Sequence, residues 1–147
     1  MTNKRPKKNP RPGVDEYGRT PLHYAAAAGE EIRVEELLRG AADPNAQDDN
    51  GWTALHFAAQ ATSSSCVRAL LEAGARIDLR DSHGNTPLWR AVFDSRGDGT
   101  IINLLRGAGA DPRAANARGV SPVKLARTIG NYNVAQFFAD VTGGDAT

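Results

Sequence analysis

Residues 18–29 read GRTPLHYAAAAG, and 33 positions later residues 51–62 read GWTALHFAAQAT. A third copy of this frame places Thr86 another 33 positions beyond Thr53, and a weaker copy, GVSPVK, places Ser121 a further 35 along. Self-similarity at a fixed period of this length indicates structural units that stack on one another.

Each copy carries the signals of a short helix. In the first copy, the Thr20 hydroxyl can cap the helix start, and Pro21 suits the first helical position, which needs no N–H partner. Leu22 and Ala25 begin a narrow apolar stripe, where small alanines allow a second helix to approach closely. Gly29 can then end the helix, because glycine adopts the left-handed cap conformation at low cost.

A second helix and a turn complete the unit. The apolar contacts of this helix are expected from Ile32, Val34, Leu37 and Leu38. Residues 48–51, DDNG, begin with Asp and end with Gly, which is typical of a tight turn. One unit is therefore predicted to be helix, turn, helix and a hairpin-like turn.

Read with LLRGAADPNAQ at residues 37–47, the repeated TPLHYAA frame resembles the ankyrin repeat. The resemblance covers about residues 14–141 and implies an all-α repeat solenoid of four stacked ankyrin repeats, each a helix-turn-helix with a β-hairpin or turn finger. First helices would line a concave palm, and turns would project as fingers. The expected repeats span about residues 15–47, 48–80, 81–115 and 116–141.

The repeat domain is expected at residues 14–142, between a disordered basic tail at 1–13 and a frayed C-terminus at 143–147. The tail carries five Lys or Arg residues, three Pro and no acid. It has too little apolar surface to offset the entropy cost of ordering. Polar outer faces are expected on the first and last units, as a solenoid requires, which would make the chain a complete protein.

His23 and His56 occupy the same position in two units, which raises the question of catalysis or metal binding. The third and fourth copies have Trp89 and Lys124 there, and the spacing lacks the i, i+4 pattern of zinc ligands. The resemblance implies instead that this position hydrogen-bonds the helix start to neighbouring groups. With no glycine-rich phosphate loop and no G-x-S-x-G motif, neither an enzyme nor a cofactor or metal is predicted.

The composition limits the compartments and the classes of partner that are expected for this protein. The net charge is +1, and the chain without its +5 tail carries −4, so the folded part is not a basic nucleic-acid binder. No apolar run reaches the roughly 18 residues of a membrane span. The single cysteine, Cys66, gives no disulfide framework and lies among apolar helix positions. A cytoplasmic protein with a buried, inert thiol is predicted.

By the family pattern, binding positions lie on finger tips and on the exposed side of first helices. Aromatic residues and arginine dominate binding energy at interfaces, although packing between repeats explains each aromatic taken singly equally well. Arg90 is the sharpest expectation, because a guanidinium there has no evident packing role and pairs well with carboxylates. The candidate partner-binding residues are Tyr17, Arg19, Tyr24, Asn50, Trp52, Phe57, Gln60, His83, Asn85, Arg90, Phe93, Asp94 and Arg118.

The predicted function is a non-catalytic protein–protein interaction module, monomeric when free, that binds an unnamed protein partner. Two alternatives stay open. The compact form and the ending at residues 125–138, LARTIGNYNVAQFF, are similar to small bacterial ankyrin proteins, some of which are immunity proteins that neutralise a toxin or enzyme. The basic tail could instead associate with an anionic polymer or a membrane surface, although nucleic acid is not the expected partner.

Overall fold

This computed structural model describes residues 11–142 of the chain. This part contains seven α-helices and one 3-10 helix, connected by turns. The predicted tail up to residue 10 and the predicted frayed end at 143–147 lie outside the described residues. The helices are α1 (Pro21–Ala27), α2 (Glu31–Arg39), α3 (Ala54–Gln60), α4 (Ser64–Glu72), α5 (Pro87–Asp94), α6 (Thr100–Gly107) and α7 (Pro122–Thr128), and the 3-10 helix is Val134–Phe138.

The helices form two layers. Each of α1, α3 and α5 packs against the second helix of its own unit and against the first helix of the next unit. The second layer consists of α2, α4 and α6, which also contact their neighbours in order. This is the all-α repeat solenoid that the 33-residue spacing predicts. The sequence allowed either β-hairpins or turns as fingers. Residues 11–142 contain no β-strand, so the fingers are turns.

The repeated threonine, or Ser121 in the last unit, begins the first helix of each unit as predicted. The hydroxyls of Thr20 and Thr53 accept the N–H groups of His23 and His56. Each imidazole Nδ1 in turn accepts the N–H of the capping threonine, at 2.9 Å in the first unit and 3.1 Å in the second. This reciprocal capping box satisfies two N–H groups that a helix start would otherwise leave unpaired.

His23 and His56 also connect each unit to the next. Because Nδ1 is an acceptor, Nε2 carries the proton and donates to a carbonyl of the following finger, that of Trp52 or Asn85, at 2.9 Å in both cases. The two histidines are 1% and 0% exposed. The hydrogen-bonding role implied for the repeated histidine is therefore confirmed.

Each finger is a turn closed by a single side chain. The Oδ1 atom of Asp48 accepts the N–H groups of Asn50 and Trp52, at 2.9 and 2.8 Å. The same arrangement recurs in the other fingers at Asp15, Asp81 and Asn116. Neighbouring fingers are joined through their backbones; the N–H of Ser82, for example, donates to the Asn50 carbonyl at 2.8 Å.

Glycine is required where one finger meets the next. Gly51 has φ +78°, and a Cβ atom built there would lie 2.8 Å from the Cα atom of Asp81. A side chain at this position would therefore strain its own backbone and displace the following finger. The turn chemistry read from residues 48–51 thus also sets the distance between units.

One residue of α2 that was expected in the core, Ile32, does not lie there. Val34 is fully buried, but Ile32 is 73% exposed. Residues two positions apart lie about 200° apart around a helix, so both cannot face the core. Leu37 and Leu38 pack against the core as expected. Cys66 is also buried as predicted, and this burial raises the pKa of its thiol.

An arginine of α6 contributes to the contact between the last unit and the unit before it. Arg106 donates to the carbonyl of Phe137 at 2.8 Å and to the carboxylate of Asp140 at 2.6 Å. Its guanidinium carbon also lies 5.2 Å from the ring centroid of Phe138. These contacts hold the 3-10 helix, which stands where the earlier units have a full second α-helix, against α6.

Candidate functional site

The sequence-predicted binding residues fall on two adjoining surfaces. The exposed side of the first helices, called the palm below, comprises Tyr24, Phe57, Gln60, Arg90, Phe93 and Asp94. The turns before these helices, called the finger tips, contribute Tyr17, Arg19, Asn50, Trp52, His83, Asn85 and Arg118. Two arginines in this set, one in each half of the surface, organise the side chains around them.

Arg19 gathers the aromatic side chains of the first unit. Its guanidinium carbon lies 5.1 Å from the ring centroid of Tyr17, 5.9 Å from that of Tyr24 and 5.3 Å from that of Phe57. Its Nε atom is 3.2 Å from the buried carboxylate of Asp48. One cation thus contacts three rings and one acid, an arrangement that favours arginine because its planar group stacks and hydrogen-bonds at once.

A hydrogen bond between Tyr24 and Asp15 fixes the edge of this group. The Tyr24 hydroxyl donates to Oδ2 of Asp15, while Oδ1 of the same carboxylate closes the first finger. The hydroxyl lowers the pKa of Asp15, and the same bond raises the pKa of Tyr24. Asp15 is therefore ionised and Tyr24 neutral at neutral pH, which gives the palm edge a fixed donor–acceptor pattern.

Arg90 organises the second half of the surface. Its guanidinium carbon lies 5.0 Å from the ring centroid of Trp52 and 4.8 Å from that of Phe93. Its Nε atom is 3.2 Å from Oδ2 of Asp94, one helical turn away. Only 15% of the Arg90 side chain is exposed. The expectation that Arg90 has no packing role is therefore wrong, because aromatic rings and an acid hold its guanidinium in place.

Trp52 and Phe57 join the two halves. Their ring centroids are 4.8 Å apart, Trp52 contacts Arg90, and Phe57 contacts Arg19. The rings and the two cations thus form one continuous layer across three units. The exposed parts of this layer are Tyr17, Tyr24 and Phe93, at 52%, 46% and 56%.

The remaining predicted residues differ in how accessible they are. Gln60, Asn50, His83 and Arg118 are exposed. Asn85 is buried, and its Oδ1 atom accepts the side-chain amide of Asn116 at 2.9 Å. Asn85 thus joins the last two fingers, and the structure gives it a role in packing where the sequence suggested a contact position.

Sequence reasoning missed that Trp89 and Asp48 support this surface from beneath. Trp89 stacks on Phe93 with ring centroids 5.4 Å apart, and its Nε1 atom is buried without a hydrogen-bond partner. The substitution of the repeated histidine by tryptophan was the available signal. The sequence explains Asp48 as a turn former, and no sequence pattern shows that its second carboxylate oxygen binds Arg19.

Residues 11–142 contain no cluster of three or more His, Cys, Asp or Glu side chains that could hold a metal ion. A groove of about 720 Å³ beside Leu71, Ile77 and Ala110 is open to solvent and lies apart from both arginines. None of the described helices has the length and apolar character needed to cross a bilayer.

One comparison with known proteins gives a match. The model of the family described as ankyrin repeats (3 copies) matches residues 27–116, more than half of the chain. The matched segment runs from the last residue of α1 to the finger before α7 and includes all of the palm except Tyr24. No curated protein sequence shows a significant match to the chain.

Proposed function

The chain belongs to the ankyrin-repeat family, and on this basis we propose that its palm and finger tips bind a protein partner without catalysing a reaction. Repeats of this family generally serve as protein–protein interaction modules. What supports the palm as the binding face is the continuous aromatic–arginine layer, since these residue types supply most of the energy at protein interfaces.

The distribution of exposed hydrophobic side chains also supports the palm and finger tips as the binding surface. Five large hydrophobic side chains are exposed in residues 11–142, and three of them, Tyr17, Tyr24 and Phe93, belong to the layer. The two others, Ile32 and Tyr132, lie near opposite ends of the chain. A partner that covered the palm and the first finger tip would thus remove these three exposed aromatic side chains from water.

The test is a quantitative pull-down from the source organism's lysate with the full chain as bait. A Tyr24→Ser/Phe93→Ser variant removes two exposed palm side chains, and an Ile32→Ser/Tyr132→Ser variant removes two exposed side chains elsewhere. We expect a partner that the wild type and the second variant retain and the first variant loses. Equal retention by all three baits would place binding outside the palm.

The immunity hypothesis is a particular form of this function, because a neutralising complex also requires a large surface that covers the toxin or enzyme. Its test is co-expression with each toxin encoded near the gene. Rescue from one of them by the wild type, but not by the Tyr24→Ser/Phe93→Ser variant, would identify the partner. Growth inhibition by every toxin despite co-expression would remove this hypothesis.

The tail hypothesis has one point of contact with the described residues. Arg11, the last basic residue of the predicted tail, forms a two-pronged ion pair with Asp49, at 3.0 and 3.1 Å. This pair engages one of the five tail cations within the protein itself. Steeply salt-dependent binding to anionic vesicles or polymer that disappears on deletion of residues 1–13 would favour the tail over the palm. The cytoplasmic location and the monomeric state stay predictions.

A further inference from the structure

Charge is unevenly distributed along the solenoid. Residues 14–50 carry nine acids and three arginines, a net charge of −6. Residues 80–128 carry eight basic and four acidic residues, a net charge of +4 with histidine neutral. Because the units stack in chain order, the acidic and basic regions lie toward opposite ends of the stack. The two ends of the stack therefore differ in potential, which favours one orientation of a charged segment laid across the units.

Arg90 stands at the beginning of the basic region with part of its hydrogen-bonding capacity unused. Its Nε donates to Asp94, and its guanidinium carbon lies within contact distance of the rings of Trp52, Trp89 and Phe93. Within residues 11–142, neither Nη group has a hydrogen-bond partner, and neither is sealed from solvent. A planar group held in this way presents two N–H donors at one edge, which matches the two oxygens of a carboxylate.

Accessible groups on the finger tips of the last two units agree with this chemistry. His83 and Arg118, on the last two finger tips, are exposed and carry donors. Asp94, which pairs with Arg90, already accepts from its Nε atom. Phe93 is 56% exposed and lies against the same guanidinium, so an apolar side chain next to the carboxylate would also find a surface to cover.

We propose that the partner presents an Asp or Glu side chain to the Nη edge of Arg90, with an adjoining apolar side chain on Phe93. The acidic end of the bound segment lies toward the units of α5 and α7, and its less acidic end lies toward the unit of α1. This inference rests on the proposed function of the palm and adds to it the chemistry and the direction of the bound segment.

The probe is a phage-displayed library of random 16-residue peptides, selected on the immobilised full chain. The baits are the wild type, Arg90→Gln, and Arg68→Gln, which removes the same charge from an exposed arginine on α4 outside the palm. We expect peptides from the wild-type and Arg68→Gln baits to share an Asp or Glu beside an apolar residue, and peptides from Arg90→Gln to lack it.

A double-mutant cycle on one selected peptide then isolates the contact. We expect Arg90→Gln, or Glu→Gln in the peptide, to weaken binding about tenfold or more, and the second change to add little once the first is made. Arg90→Lys should restore only part of the affinity, because an ammonium group cannot form the two-pronged contact. Independent, additive effects of the two changes would overturn the proposal.

The outcomes separate this inference from the function on which it rests. In one outcome, the selected peptides are apolar, share no carboxylate, and no longer bind the Tyr24→Ser/Phe93→Ser variant. The palm would then remain the binding face, and the proposed role of Arg90 would be overturned. Selection of the same peptides by the wild type and by Tyr24→Ser/Phe93→Ser would overturn both. Helical circular dichroism and the melting temperature of each bait establish that it is folded.

Discussion

The Nε2 atom of His56 lies 2.9 Å from the carbonyl oxygen of Asn85, 29 residues further along the chain. The same imidazole accepts the N–H of Thr53 through Nδ1. One buried side chain therefore begins the first helix of its own unit and holds the finger of the next. Cooperation between units depends on such contacts, because in a solenoid each unit is stabilised mainly by its nearest neighbours.

Replacement of His56 by leucine should destabilise the chain. The substitution leaves the buried N–H of Thr53 without its imidazole acceptor and removes the bond to Asn85. An unpaired buried group costs about 1–3 kcal/mol, so the free energy of unfolding should fall by about that amount. Urea denaturation followed by circular dichroism measures it. His83→Leu, on an exposed finger tip, should change stability by less than about 0.5 kcal/mol.

Stability should also fall as the solution is acidified from pH 7 to pH 5. Burial lowers the pKa of His56, whereas in the unfolded chain its pKa returns to the ordinary value of 6.5. Below that value the unfolded state binds a proton that the folded state excludes, so acidification favours unfolding by up to about 1.4 kcal/mol per pH unit.

The His56→Leu variant is the comparison for this pH dependence. It should lose less stability than the wild type over the same interval, because it lacks the group whose pKa changes on unfolding. A His83→Gln variant, which removes a histidine from an exposed finger tip, is the matched control. Parallel curves for the wild type and His56→Leu would contradict the assignment of this effect to His56.

Gly51→Ala should destabilise the chain more than Gly74→Ala does. Both glycines have positive φ, +78° and +82°, so alanine pays a similar backbone cost at each. A Cβ at Gly74 meets nothing within 4 Å, whereas at Gly51 it lies 2.8 Å from the Asp81 backbone. The backbone cost alone is about 1–2 kcal/mol, and Gly51→Ala should exceed this by about 1 kcal/mol or more because the next finger must move.

Denaturant midpoints of the two glycine variants give the comparison directly. Equal losses would mean that the approach of neighbouring fingers contributes nothing beyond the backbone conformation. A larger loss for Gly51→Ala would assign the difference to the contact between units.

Arg106→Met should loosen the last unit selectively. The Asp140 carboxylate is 67% exposed, so its ion pair contributes little. The bond to the Phe137 carbonyl and the stacking on Phe138 are less accessible and should account for most of a loss of about 1 kcal/mol. Hydrogen exchange should accelerate in residues 134–141 and stay unchanged in α3. Uniform acceleration throughout the chain would show that the last unit does not open by itself.

Prediction of the fold from the sequence succeeded where the determinants are local. The threonine caps, the glycine-ended turns and the 33-residue spacing each depend on residues a few positions apart, and all are present in the structure. Ile32 is the exception within a helix. Val34, Leu37 and Leu38 of the same helix are also apolar, so composition alone did not show which of these residues face the core.

The candidate site was predictable in its positions but not in its contacts. The repeat register placed the aromatic residues and Arg90 on one surface, because equivalent positions of stacked units lie side by side. It could not show that Arg90 stacks on Trp52, a residue 38 positions earlier, or that Asn85 is buried against Asn116. The contacts of Trp89 were likewise not predictable, because the sequence shows only that tryptophan replaces the repeated histidine there.

The sequence by itself determined the unit, its period and the two layers of helices, since these follow from capping, turn and helix preferences repeated along the chain. Only the tertiary structure decided which polar groups are paired within the protein and which remain available to a partner. That division depends on distances between side chains from different units, such as the 3.2 Å between Arg19 and Asp48. Local preferences do not encode such distances; the packing of one unit on the next sets them.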